Sequence, residues 1–235
     1  MKVSKEFSCQ FGLLLAEREF VDWGTLQREH TYYEHLKIYN PTHRSISVKI
    51  HKHALPFRFV HSDRDSTDLS VCPVNIAPRQ SVDILMEFKL ADSLELGNFS
   101  SKFYLDIDGV FYLKAIDMTA VIVENFDDGD PLQPSIDIPC DCFHFDTIAL
   151  DKILEHSFLI RNVGKEDLII RKIETTCTCI EYSIDGNIIH SRDSAELRVA
   201  FRPEPVAGAP YKVRLICNDP KRPVVELVLK GYVAP

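Results

Sequence analysis

No apolar run in this chain is long enough to cross a membrane. The longest near its start, Phe11-Gly12-Leu13-Leu14-Leu15-Ala16, falls far short of the roughly 18 residues a spanning helix needs. Glu17, Arg18 and Glu19 follow at once, which also makes it a poor core for a signal peptide. A basic excess is missing too. Lys and Arg number 27 against 35 Asp and Glu, a formal charge of −8, and the basic runs are short and interleaved with acids. That balance argues against nucleic acid and against an anionic membrane surface as partners. No segment keeps a helical period over a useful length. No CxxC pair, nucleophile elbow, zinc-protease helix or phosphate loop is present. Triads can assemble from distant residues, but nothing here points to an enzyme, and no cofactor is expected. An odd set of seven cysteines in a chain of 235 residues with 45% hydrophobic content does not describe a disulfide-stapled miniature scaffold.

What the chain does have is alternation and repetition. Leu36 and Ile38, then Ile46, Val48 and Ile50, then Val82, Ile84, Met86 and Phe88 recur at every second position, the period of a half-buried strand. Asn40-Pro41, Asp108-Gly109, Asp185-Gly186 and Asn218-Asp219-Pro220 supply turns between such runs. The pattern then repeats. Thr147 lies 122 positions after Thr25, and Asn162 lies 122 after Asn40. The same offset pairs Trp23 with Phe145, Leu26 with Ile148, Leu36 with Phe158, Ile38 with Ile160, Ile46 with Leu168 and Val48 with Ile170. Leu13 and Leu15 match Ile136 and Ile138 at 123. Phe88 and Phe201 differ by 113, and Met118 and Leu229 by 111, which places an insertion in the first copy within His61–Val74. A unit of this length is a whole domain rather than a solenoid repeat.

The expected fold class is all-β: two tandem immunoglobulin-like antiparallel β-sandwiches, each of about seven strands. Domain 1 is residues 1–126 and domain 2 is residues 127–235. The acidic, turn-rich stretch 124–134 forms the linker, and Asp127-Asp128-Gly129-Asp130 lacks the ligand layout of a calcium loop. Asn40 and Asn162 are expected to end equivalent strands, because an Asn side chain bonds the backbone two residues on. Replacing Asn162 with Ala should cost about 1 kcal/mol.

Several runs resemble a known family. Phe145-Asp146-Thr147-Ile148, Phe158-Leu159-Ile160-Arg161-Asn162-Val163-Gly164, Thr176-Cys177-Thr178-Cys179, Val199-Ala200-Phe201 and Lys230-Gly231-Tyr232-Val233 are similar to the bacterial domain-of-unknown-function family numbered 1573. The likeness covers about Ser135 to Pro235 and extends more weakly to Asp22-Trp23-Gly24-Thr25-Leu26 and Ile38-Tyr39-Asn40. Asp146 and Thr178 stand where the family usually has Gly. The resemblance implies an immunoglobulin-like sandwich related in shape to hydin-type and major-sperm-protein domains, which act as interaction modules. It implies no activity. Its members commonly carry export signals, so the expected location is the cell envelope, periplasmic or secreted, if a signal was removed and Met1 is not the native start; otherwise the chain is cytoplasmic.

Two constellations are candidate metal sites. His51 and His53 point the same way from one strand, with His61 or Cys72 as a completing ligand. Cys140, Cys142, Cys177 and Cys179 could supply four thiolates, although one residue between paired cysteines is tighter than zinc favours. In an oxidising compartment two of these cysteines could instead form a disulfide. The preferred reading is that no metal is bound: the His pair is a solvated sheet edge, and Cys177 and Cys179 pack in the core as small hydrophobes. Continued past Ile50 and Lys172, the 122 offset sets Leu55 opposite Cys177 and Phe57 opposite Cys179, both plainly apolar. Two thiols two apart on a flat strand do not easily join. No Lys, Arg or His lies within two residues of them to lower a thiol pKa. Trp23 and Phe145 read as core plugs.

The expected function is a non-enzymatic structural or protein-interaction module, its partner another protein or an envelope component met at an exposed strand edge. The alternatives are a carbohydrate- or metal-binding envelope protein, and a hydrolase with a site between the domains.

Overall fold

The computed structural model describes residues 6–52, 56–61, 68–126, 132–150, 152–203 and 211–234. These are strands and turns, with no helix among the described residues, and the chain divides into two compact units, Met1–Ile122 and Val123–Pro235. Linker residues 127–131, His53 and Leu55 lie outside the described residues.

The first unit holds β1 (Cys9–Phe11), β2 (Leu14–Ala16), β3 (Phe20–Gln27), β4 (Thr31–Tyr39), β5 (Ile46–Lys52), β6 (Phe57–His61), β7 (Val74–Ile76), β8 (Ser81–Lys89), β9 (Gly97–Ile107) and β10 (Val110–Val123). The second holds β11 (Ile136–Asp137), β12 (Cys142–Ala149), β13 (Leu154–Asn162), β14 (Leu168–Thr175), β15 (Ile180–Ile184), β16 (Ile188–Ile189), β17 (Ser194–Phe201), β18 (Tyr211–Cys217) and β19 (Val224–Ala234). One sheet of the first unit runs β1-β2-β4-β8-β6 and the other β3-β10-β9-β5-β7. The second unit runs β11-β13-β17-β15 and β12-β19-β18-β14-β16. Without β1, the two orders correspond strand for strand. Both are the order of an immunoglobulin-like sandwich. Within the second unit β12 pairs parallel with β19, with Cys142 beside Val228.

Alternation explains each core. On β8, Val82, Ile84, Met86 and Phe88 are buried while Ser81 and Lys89 are exposed; on β17, Leu197, Val199 and Phe201 are buried. Trp23 and Phe145 are both core residues. Trp23 sits 5.7 Å from the Phe57 and Phe88 rings, and Phe145 sits 5.7 Å from Phe201. The hairpin at Asp108-Gly109 has φ of 53° and 81°, the two positive values a two-residue turn requires.

Asn40 and Asn162 are fully buried and equivalent in detail. The Asn40 Nδ2 donates to the carbonyls of Arg44 and Ile76 at 2.7 and 2.9 Å. The Asn162 Nδ2 donates to those of Glu166 and Ile189 at the same distances. Each Oδ1 accepts a backbone N–H two residues on, from Thr42 and from Gly164, at 3.0 Å.

The register departs from the sequence reading in two places. Leu14 and Ala16 are buried and Leu13 is exposed; Leu15 pairs with Tyr39 and Ile136 with Asn162. The partners of Ile136 and Ile138 are therefore Leu14 and Ala16, at 122, not Leu13 and Leu15. A three-leucine run cannot specify which face is buried; the turn at Gly12, with φ of 55°, sets it. In the second unit, β14 carries an irregularity between Ile170 and Lys172, a bulge that adds one residue. Beyond it the offset is 123. Phe57 pairs with Phe88 and Ile180 with Phe201, so Phe57 corresponds to Ile180 and not to Cys179. By the Asn bonds, Ile76 corresponds to Ile189, an offset of 113. The difference, 123 − 113, puts ten extra residues between β6 and β7, where the sequence reading placed the insertion.

Candidate functional site

In the second unit the segment between β14 and β15 changes sheets, and Cys177-Thr178-Cys179 makes the corner. It is a turn. The Thr175 Oγ1 donates to the Cys177 carbonyl at 3.0 Å, and the Lys212 N–H donates to the Thr176 Oγ1 at 3.0 Å. The Ile180 N–H reaches back to the Cys177 carbonyl at 3.4 Å. The bend brings the two Cα atoms to 5.1 Å, and Cys177 and Cys179 are joined as a disulfide. An extended strand would hold those atoms roughly 6.6 Å apart. The expectation of two free thiols on a flat strand is therefore corrected: the strand has already ended. Cys179 is buried and Cys177 half-buried. A cavity of about 290 Å³ opens beside Cys179, lined by Ile153, Thr178, Cys179, Glu181, Ala200 and Arg202. Folding thus brings Arg202 to the same cavity as a cysteine that has no basic neighbour in sequence.

The four-cysteine constellation is not assembled as four thiolates, since two of the sulfurs are bonded to each other. Cys140 is exposed, its Sγ 3.3 Å from the Cys142 carbonyl; the Cys142 Sγ lies 3.2 Å from His144 Nε2. His51 is an exposed residue of β5, with its Nε2 3.4 Å from an Asp106 carboxylate oxygen and its ring edge-on to Phe111. Cys72 is exposed, and His61 ends β6. Among the described residues, no group of three or more His, Cys, Asp or Glu is placed to hold a metal ion.

The second feature is β15 itself. It lies at the end of its sheet, paired with β17 on one side. The Arg202 N–H donates to the Cys179 carbonyl at 2.8 Å. By the alternation of an antiparallel ladder, Glu181 and Ser183 turn their backbone groups to β17, and Tyr182 turns its own outward. Among the described residues none bonds the Tyr182 backbone on that side; its phenol donates to the Ile173 carbonyl at 3.3 Å. The corresponding strand of the first unit is closed. Leu69 donates its N–H to the carbonyl of Phe59, the equivalent of Tyr182, at 2.7 Å, and Val60 bridges Asp68. Those closing residues belong to the ten-residue insertion. The other edges of the second unit are blunted in recognised ways: β11 and β16 have two residues each, and β12 is irregular between His144 and Thr147.

The outer face beside this edge is a shallow trough of about 550 Å³. Glu155 and Glu181 flank Ala200 across three strands. Ser157 and Ser183 flank Arg198, which is held by Asp185 through two bonds of 3.0 and 2.8 Å. The partnership with Arg198 keeps the Asp185 carboxyl below its ordinary range. The two glutamates have no such partner among the described residues.

The second domain matches a family over residues 136–233. That family is DUF1573, described as "Protein of unknown function". The match covers less than half of the chain and all of the DUF1573 domain's strands except the last residue of β19. No curated protein matches the chain. Among solved structures, the chain is similar to a protein of unknown function from Porphyromonas gingivalis W83, with 17% identity, 94% of this chain and 100% of that one covered, and a TM-score of 0.64. That likeness is one of fold. The chaperone YadV, at 11% identity with 91% and 97% covered, has a TM-score of 0.34. The E. coli chaperone DraB, at 10% identity with 92% and 96% covered, has a TM-score of 0.32.

Sequence reasoning expected an exposed strand edge but missed Arg202 and which edge is open. Arg202 is 23 positions from Cys179, and only the β15–β17 pairing joins them. The edge did leave a signal: the segment that closes β6 has no counterpart in the shorter DUF1573 domain.

Proposed function

We propose that the chain is a non-enzymatic protein-interaction module of the cell envelope, and that β15 of the DUF1573 domain is where its partner adds a strand. The observation that carries this reading is the contrast between β6, closed by Leu69 and Asp68, and the middle of β15, where the outward N–H and carbonyl of Tyr182 meet no described residue. Strand addition draws affinity from main-chain hydrogen bonds and specificity from alternate side chains. Here the side chain that would lie beside Glu181 on the outer face meets its carboxylate, with Glu155 further across the same face, so the partner segment is extended and basic at that position. A periplasmic or secreted location is supported by the Cys177–Cys179 disulfide, a bond that persists in oxidising compartments.

The test is a proline at Tyr182. Tyr182→Pro removes an outward N–H while leaving the β17 ladder bonds of Glu181 and Ser183 in place. Proteins retained by the full chain from its source cell should be lost with Tyr182→Pro and weakened by Glu181→Lys, while the melting midpoint stays within a few degrees. Retention of the same partners by both folded variants would reject the edge.

A further inference from the structure

We propose that Cys177–Cys179 is an exchangeable disulfide, a two-electron couple that accepts electrons from a dithiol. This goes beyond strand addition at β15 and does not depend on it.

Three observations carry it. First, the bond closes a loop of only three residues. A loop that short removes little freedom from the unfolded chain, so the bond is a poor staple. The corner is already tied by the Thr175, Thr176 and Lys212 hydrogen bonds and by the Arg202 N–H to the Cys179 carbonyl. Second, the two sulfurs are not alike. Cys177 is half-buried on the corner and Cys179 is 4% exposed. An incoming thiolate therefore meets Cys177. Third, Arg202 lines the cavity at Cys179. A guanidinium beside a sulfur favours its thiolate form, and a leaving thiol of lower pKa departs faster. Glu181, on the same cavity wall, opposes this in part, and its carboxylate is the other charged group lining that cavity.

The steps balance. One thiolate of the donor attacks the Cys177 Sγ; a donor–Cys177 bond forms, and the Cys177–Cys179 bond breaks with its electron pair leaving on the Cys179 Sγ. The donor's second thiolate then attacks the donor sulfur of that mixed disulfide and releases the Cys177 thiolate. The donor ends as a disulfide, the chain ends with two thiols once each sulfur takes a proton from water, and two electrons have moved.

The experiment uses the full chain equilibrated with graded ratios of reduced to oxidised dithiothreitol, quenched with excess maleimide at neutral pH without denaturant, and read by peptide mass. Cys177 and Cys179 should gain label together as the ratio rises and lose it when the ratio is reversed. Cys217, fully buried, should stay unlabelled throughout and so report an intact fold. Labelling of the pair only when Cys217 is also labelled, or labelling that does not reverse, overturns the proposal. The order of attack is tested with oxidised glutathione. In Cys179→Ser, Cys177 should take up glutathione at least tenfold faster than Cys179 does in Cys177→Ser; equal or reversed rates overturn that order. Arg202→Gln should slow reduction by dithiothreitol about threefold for each unit by which the leaving thiol's pKa rises, and Arg202→Lys should restore the rate. An unchanged rate in Arg202→Gln removes Arg202 from the mechanism.

Discussion

The Asn162 side-chain amide donates to the Ile189 carbonyl at 2.9 Å, and the bond joins one sheet of the DUF1573 domain to the other. Asn162 ends β13, and Ile189 lies in β16, which pairs with β14 in the facing sheet. Asn40, which follows β4, makes the same tie to β7.

Asn162→Ala should therefore cost more than the single local bond expected from sequence. It strips the Ile189 and Glu166 carbonyls of a donor, the first of them buried, and frees the Gly164 N–H. A loss of about 2–4 kcal/mol follows from a lost bond plus an unsatisfied buried group. Urea midpoints of the wild type and variant measure it; a loss under about 1 kcal/mol would show the tie to be dispensable.

The boundary between the domains should be the first site of proteolytic nicking. Dilute protease should cut within 124–134 and release two fragments that resist further digestion, because exposed, turn-rich connections are cut before paired strands. First cuts inside β8 or β17 would count against two independent domains.

Cys217 links stability to alkaline pH. It is fully buried, with its Sγ 3.3 Å from the Arg222 carbonyl, and burial pushes its thiol from an ordinary 9.0 up to about 12. The unfolded chain loses this proton first, so the contribution is whole below pH 9 and is lost as pH rises from 9 towards 12, at up to about 1.4 kcal/mol per pH unit. Cys217→Val should flatten that part of the profile in chemical denaturation. An equal slope in the variant would assign the loss to other groups.

His156 acts at the acidic end. Burial holds its imidazole below the ordinary 6.5, with its ring stacked on Phe143 at 3.8 Å. The unfolded chain takes up the proton first, so the contribution is present above pH 6.5 and is lost as pH falls below it towards the folded value. An NMR titration should place the His156 midpoint below that of exposed His190, whose hydrogen bond to Asp167 raises it. The reverse order would refute the burial argument.

The core of both sandwiches was legible because alternation and burial obey the same period. Every apolar pair named at the 122 offset from Trp23–Phe145 to Val48–Ile170 is buried in both units. What failed did so by single residues. Leu13-Leu14-Leu15 offers the same side chain to either face, so only the Gly12 turn decides. The bulge after Ile170 leaves no mark in composition, yet it moved Phe57 away from Cys179 and removed the apolar comparison on which the free-thiol reading stood. The cysteine corner was misread for a related reason: a strand's end is set by the sheet change, which depends on pairing with distant β17 and β18. The insertion was found, but its effect was not, because a count of extra residues does not say which backbone groups they cover.

The parallel pairing of β12 with β19 sets an order of events during synthesis. Cys142 sits beside Val228, 228 − 142 = 86 positions away, and contacts so distant in sequence form slowly because a long loop must close first. The first domain can fold while the second is still emerging from the ribosome, since domains fold as units from the N-terminal end. Until β19 is released, β12 and β18 each lack a neighbour, and the half-made sheet is at its most exposed to chaperones and to aggregation.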